Sequence, residues 1–184
     1  THTMGDIKNV TFFMEECKRM GIKVLGPDVN ESIGDFSPNA NGEIRFGMAA
    51  IKGVGSNVVE AIVLQRTENG KFTGIFDLAK RLDTKSINKK SLEALSMAGA
   101  FDSFEILTRS MFFTPDKDGL NLTEKAIKYG NSFNNGNETN QASLFGEGSE
   151  DSEVMEPPLP KVEPWGQLEQ LAREMELISP ENRR

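Results

Sequence analysis

The stretch Ala50 to Ile62, AIKGVGSNVVEAI, sets two glycines one residue apart directly before a patterned helix. Glycine accepts backbone angles that other residues resist, so Gly53-Val54-Gly55 marks a sharp turn between two helical segments. Upstream, FGMAAI reads as a brief apolar helix. Downstream, Val59, Ile62, Val63 and Arg66 recur at helical spacing, with Ser56 placed as an N-cap. Such a turn has two readings. In one, glycine merely ends the first helix. In the other, the backbone N–H groups of Gly53 and Gly55, the Ser56 hydroxyl and the Lys52 ammonium meet a phosphate oxygen, which the missing Cβ atoms let come close. Nothing in that arrangement reaches a base edge, so binding would ignore sequence and weaken steeply with salt. The dinucleotide fingerprint fits poorly, because Val54 to Asn57 does not complete GxGxxG and no clean strand precedes it.

The rest of the chain supplies a frame for this turn. Val10, Phe13, Met14 and Cys17 mark an amphipathic helix ending near Gly21, and Ile22 to Leu25 a short strand. Gly34 to Ser37 and Glu43 to Phe46 flank the SPNANG segment, whose Asn41-Gly42 predicts a hairpin. After TENGKFTG, a loop, come a connecting helix (Ile75, Leu78, Ala79, Leu82) and another (Leu92, Leu95, Ala98) that ends at Gly99. A last helical patch is expected near Glu105 to Phe113, with a further one at Thr123 to Tyr129. Two helix-turn-helix units thus flank the connector, and Ala98-Gly99-Ala100 stands where Gly53-Val54-Gly55 does in the first, with its second glycine replaced by Ala100. The Asn-rich stretch 130–140 and the acidic, Pro-rich stretch 146–164 read as flexible or extended linker. Leu168, Leu171, Met175 and Ile178 predict a final helix.

The fold class expected is therefore α+β, mostly α. It comprises a small mixed segment at 1–45, a helical module at 46–130, a flexible acidic linker at 131–164 and a terminal helix at 165–184. Thr1 to Met4 read as an expression remnant. The lone Cys17 excludes a disulfide framework, and with His2 as the single histidine no Cys/His zinc cluster can form. No apolar run reaches membrane-spanning length and no signal-peptide pattern opens the chain, so the expected compartment is the cytoplasm.

The net charge of −7 hides an uneven distribution. Residues 46–130 carry 12 Lys/Arg against 10 Asp/Glu, whereas residues 131–184 carry 4 against 11. An acidic chain with a mildly basic body can still meet nucleic acid at a local face. Within the body, KRLDTKSINKK gathers Lys80, Arg81, Lys85, Lys89 and Lys90 with Asp83 as its one acid. As a charge run it is either a solvated face or a stripe facing the duplex.

Two other features bear on chemistry. QASLF, at Gln141 to Phe145, is an apolar island in polar surroundings. Extended, it offers a glutamine amide and the large side chains Leu144 and Phe145 to a pocketed surface; the alternative is a staple folding back onto the body. The one D-x-D, Asp116-Lys117-Asp118, lies between Pro115 and Gly119, a turn composition, and Lys125 stands where a calcium loop needs its bidentate acid. No catalytic or metal-binding set is expected, since His2 cannot serve a Ser/His/Asp triad from the remnant.

IRFGMAAIKGVG, followed by FDLAKRLDTKSINKKSLEALSMAGAFDSF, resembles the tandem helix-hairpin-helix region of the DNA polymerase III alpha-subunit family, the bacterial replicative polymerases. MEECKRMGIKVLGPDVN resembles the end of that family's fingers domain. The resemblance covers most of residues 8–113 and resumes at 141–145 and around 163–178. It implies a fragment without the palm carboxylates of the full-length nucleotidyltransferase, which uses a divalent metal such as magnesium. It also implies duplex primer-template contact through Lys52, Gly53, Val54, Gly55, Ser56 and Gly99 with the basic cluster. QASLF resembles the clamp-binding pentapeptide of sliding-clamp partners, implying clamp contact by Gln141, Ser143, Leu144 and Phe145, and the company of other replisome subunits near the nucleoid. The rival readings are a helical protein-interaction scaffold that never touches DNA, and a repair factor built on the same module.

Overall fold

A computed structural model of the chain describes residues 7–82, 86–142 and 155–178, with side chains for 12–82, 86–134 and 155–173. Helix α1 (Ile7–Arg19) stops at a glycine, as the sequence predicts. Gly21 takes φ 71°, its N–H donates to Lys18 O (3.1 Å), and the Ile22 N–H donates to Cys17 O (2.8 Å). Those two bonds satisfy the last carbonyls of the helix. Strands β1 (Val24–Leu25), β2 (Ser37–Pro38) and β3 (Ile44–Arg45) form a small sheet in the order β1-β3-β2. β1 runs parallel to β3, with Val24 opposite Ile44, and β2 runs antiparallel to it, with Ser37 opposite Arg45. The expected hairpin is thus present. Asn39 Oδ1 accepts from the N–H groups of Asn41 and Glu43 (3.0 Å each), holding the turn from inside.

Beyond Phe46 the chain is helical: α2 (Ser56–Asn69), α3 (Ile75–Arg81), α4 (Lys89–Met97), α5 (Leu122–Ala142) and α6 (Gln167–Ile178), with 3-10 turns at Met48–Ala50 and Arg109–Phe112. Ile62, Leu78, Leu92, Leu95 and Leu122 are fully buried between these helices, each contributing about 1.5–3 kcal/mol of apolar transfer. The front segment shares this core through Val29 and Phe46. It is held by Arg66 of α2, whose Nη1 donates to Val29 O (2.7 Å) and Ser32 O (3.0 Å). Asn30 and Phe72 add a reciprocal pair, side-chain amide to carbonyl (2.9 Å) and backbone N–H to amide oxygen (2.8 Å).

Three expectations change. The patch near Glu105 to Phe113 is not an α-helix: successive turns lead to the short 3-10 turn at Arg109–Phe112. The stretch 130–140 is not a linker but continues α5 to Ala142. Its composition lacks apolar periodicity, yet its first residue, Gly130, is buried where α5 crosses α3. A Cβ there would run into the Ala79 carbonyl oxygen, so the crossing needs glycine. Phe76 and Tyr129 pack edge to face beside it at 5.5 Å. Finally, residues 155–166 are extended but docked. Pro160 is fully buried, and Trp165 stacks at 5.3 Å from Phe113 and under Arg173 of α6.

Gly130→Ala is expected to cost about 1–3 kcal/mol by overpacking the crossing. Gly26→Ala, where nothing lies within 4 Å, should stay within about 0.5 kcal/mol of the parent. Urea denaturation midpoints of the two variants check this, and equal midpoints would refute the crossing.

Candidate nucleic-acid interface

The turn between the 3-10 segment Met48–Ala50 and α2 is closed by the Val54 N–H, which donates to Ile51 O (3.1 Å). Gly53 takes φ 92° at its third position, a left-handed angle that a side chain would strain. Between the glycines Val54 points inward, 8% exposed, and joins Val58, Val59 and Ile62 in the core. Val54 is expected in the DNA-binding set; with its N–H bonded inside the turn and its side chain buried, it anchors the turn and offers no donor.

Gly55, not Ser56, is the N-cap of α2 (φ −80°, ψ 157°), and no side chain caps the helix. Burial of Val58, Val59 and Ile62 on one face starts the helix a residue earlier than serine's capping preference would, because packing outweighs local propensity. The consequence is a row of free donors. Among the described residues, the N–H groups of Lys52, Gly53, Gly55, Ser56 and Asn57 have no acceptor within the chain, and all five residues are exposed. α4 brings Lys90 alongside: a Cβ added at Gly53 would lie 3.7 Å from Lys90 Cε and 3.5 Å from Ala94 Cβ. Lys52 and Lys90 are exposed, and neither has an ion-pair partner among the described residues.

The two glycines serve different ends. Gly53 is required by its backbone angle. Gly55 is not, since its angles suit any residue and the nearest obstacle to a Cβ is the movable Asn57 Oδ1, at 2.6 Å. Asn57 itself is a residue the sequence reading misses. The signal for it is a short polar side chain at the second position after a glycine cap.

The basic cluster divides. Lys80 is exposed, its Nζ 4.4 Å from the centre of the Phe133 ring. Arg81 is committed internally: it pairs with Asp77 (2.8 Å), donates to Gly70 O (2.9 Å) at the end of α2, and lies over the Phe72 ring. Lys89 pairs with Glu124 of α5 (2.8 Å), a bond that raises the lysine's pKa and lowers the carboxyl's. Only Lys90 is thus placed at the turn; Lys85 lies outside the described residues. So do Ser143, Leu144 and Phe145 of QASLF, and Gln141 is described by its backbone alone, within α5.

Gly99 ends its helix as the sequence predicts, but its N–H is not free for a phosphate. It is buried, with φ 87°, and closes α4 in the manner of Gly21. Its N–H donates to Ser96 O (3.0 Å) and the Ala100 N–H to Leu95 O (2.9 Å). The bland reading of a glycine turn, a helix end, is the one that applies there.

The D-x-D turn holds an ammonium. Lys125, 5% exposed, places Nζ 2.6 Å from Asp116 Oδ2, 3.7 Å from Asp118 Oδ2 and 3.3 Å from Pro158 O. That bond is the main reason the Asp116 carboxyl sits below its ordinary pKa. A cation already fills the centre of the turn. Among the described residues no three His, Cys, Asp or Glu side chains converge for a metal. What the two carboxylates of this turn hold is the lysine ammonium.

This arrangement is that of a glycine turn joining helical segments, and residues 21–111 match the family model described as a helix-hairpin-helix motif. The chain is 36% identical to the DNA polymerase III subunit alpha of Escherichia coli over 179 residues, 97% of this chain and 15% of that protein. It is 46% identical to the Haemophilus influenzae subunit over 102 residues, 55% of this chain and 9% of that protein. The Vibrio cholerae subunit is 32% identical over 178 residues, again 97% of this chain and 15% of that protein. The chain belongs to the DNA polymerase III alpha-subunit family, and it spans about 15% of the length of the relatives it matches most fully. No helix among the described residues is long and apolar enough to cross a membrane.

The Asp116–Lys125 bond has a pH signature. A carboxyl whose folded pKa is depressed stabilises the fold fully above its unfolded pKa of about 3.9, and that contribution is lost as pH falls through the folded value. Asp116→Asn should therefore lower the melting temperature at pH 7, and the gap to the parent should narrow below about pH 4. A gap that is constant across this range would contradict the assignment.

Proposed function

We propose that this chain is the duplex-gripping, non-catalytic part of a replicative DNA polymerase. In this reading Lys52, Gly53, Gly55, Ser56, Asn57 and Lys90 hold a backbone phosphate of primer-template DNA without reading its sequence. The observation that carries it is the run of exposed, unpartnered N–H groups at the N-terminus of a 14-residue helix, flanked by two unpaired lysines. Such donors stabilise an anion through direct hydrogen bonds and the helix dipole together. Gly55 supports the same reading. The fold does not demand glycine there, whereas a phosphate approaching the N–H does. The names of the relatives point the same way, and two lysines beside bare backbone at one spot favour DNA over a scaffold that never meets it.

Catalysis, with its divalent metals, then belongs to other parts of the full-length protein. The second contact in this proposal is QASLF, Gln141 to Phe145, as a sliding-clamp ligand. Its support is the residue pattern and its place at the end of the helical module, where Gln141 and Ala142 are the last residues of α5. A clamp contact and a phosphate contact on one chain raise each other's effective concentration, which would favour processive synthesis.

Fluorescence anisotropy with a labelled primer-template duplex across 50–200 mM salt tests the grip. Lys52→Ala and Lys90→Ala should each flatten the slope of log affinity against log salt by about 0.9. Gly55→Leu, which keeps ordinary backbone angles, should weaken binding on the order of tenfold by standing between donor and phosphate. Binding that ignores salt and survives all three changes would remove the phosphate reading. For the clamp, the double change Leu144→Ala with Phe145→Ala should abolish pull-down by purified clamp while leaving the DNA titration untouched; equal capture of both forms would reject the motif.

A further inference from the structure

The second glycine turn is filled by the chain's own side chains. Arg109, the first residue of the 3-10 turn, reaches back over Gly99. Its Nη1 donates to Met97 O at the end of α4 (2.9 Å), while Nε and Nη2 donate to Asp102 Oδ1 (3.1 Å) and Oδ2 (2.6 Å). Two parallel bonds of this kind form a bidentate pair, the strongest common arrangement of arginine and carboxylate. A Cβ added at Gly99 would lie 2.5 Å from Arg109 Nη2 and 2.8 Å from Asp102 Oδ2. A Cβ at Gly53 would meet Ala94 and Lys90 only at ordinary contact distance, whereas the same space at Gly99 is taken by a guanidinium and a carboxylate. The Arg109 side chain is 10% exposed and that of Asp102 51%, so the outward charge of the pair is negative.

The backbone differs as well. After Gly99 the N–H groups of Ala100, Asp102 and Phe104 donate to Leu95 O, Gly99 O and Phe101 O, while those of exposed Ser103, Glu105 and Ile106 have no acceptor among the described residues. No α-helix begins there, so no helix N-terminus faces outward from this turn.

We propose that the Arg109–Asp102 pair is a built-in occupant of the second turn, and that the module holds DNA through its first turn alone. This rests on the reading of the first turn as a phosphate grip. Asp102 then acts as a specificity element, a fixed negative charge that keeps the phosphate chain off this corner and sets which side of the module faces the duplex. Arg109 is a positioning residue that holds Asp102 there.

Ser56 and Ser103 are exposed residues at the two turns, and no hydrogen bond from either side chain occurs among the described residues. Ser56→Glu and Ser103→Glu in the 184-residue chain add one negative charge at each turn without disturbing the core. At the first position of α2 a carboxylate favours the helix, and thermal melting verifies that both variants fold. With the duplex titration above, Ser56→Glu should weaken binding on the order of tenfold, whereas Ser103→Glu, at the filled turn, should change it by less than about twofold. Ser103→Lys, of opposite sign, should likewise give no gain. Equal losses at both turns, or a several-fold gain with lysine, would overturn the one-turn grip while leaving the phosphate reading intact. A loss at neither, or at Ser103 alone, would overturn the phosphate reading and this inference with it.

Discussion

The shape of the exposed turn follows from where Val54 goes. It is the one apolar side chain between Lys52 and Asn57, and withdrawing it from water requires the chain to double back within a few residues. Gly53 supplies that reversal with its left-handed angle, and the Ile51 carbonyl ties it. Once Val54 is inside, both of its neighbours are outside, and the first turn of α2 points its N–H groups at solvent. A hydrophobic anchor at one residue thereby sets the geometry of the polar surface on either side. The same anchor places the turn against α4, which is how Lys90 comes within reach from more than thirty residues away in the chain.

Charge is organised by pairing rather than by accumulation. Arg81 and Lys89 of the basic stretch, and Arg109 and Lys125 farther along the chain, are each matched to an acid at hydrogen-bond distance. These pairs fasten helix ends and crossings: Arg81 closes α2, Lys89 ties α4 to α5, and Arg109 covers the end of α4. Lys52 and Lys90, like Lys71, Lys117 and Lys128, have no acid partner among the described residues, and these two stand at the first turn. A body of nearly balanced charge can therefore present a small positive face while the chain as a whole is acidic.

Local signals were legible in the sequence wherever local chemistry decides the outcome. Gly21 and Asn41-Gly42 mark the end of α1 and the hairpin because a positive φ is the problem that each of them solves. The helical body and the first glycine turn are visible for the same reason, through apolar spacing and a residue with special angles. What stays hidden depends on contacts distant in sequence. Gly53 and Gly99 look alike as residues, and only the return of Arg109 ten positions later separates an open turn from a filled one. The partner of Lys89 is 35 residues away, so a run of basic residues reads as a stripe when Arg81 and Lys89 within it are already engaged. Gly130 opens an Asn-rich stretch that has the composition of a linker, yet its lack of a side chain is what α3 requires of it. Ser56 misleads in the opposite direction, since a good cap residue is overruled by the burial of the two valines that follow Asn57.

Lys125 joins the Asp116 turn to the carbonyl of Pro158, and Pro160 is sunk into the body just beyond. The described chain is accordingly fastened to the body in two places, up to Ala142 through the α5–α3 crossing and from residue 155 onward through the Lys125 staple. A pull on either segment would have to break a packed contact before any helix could unravel.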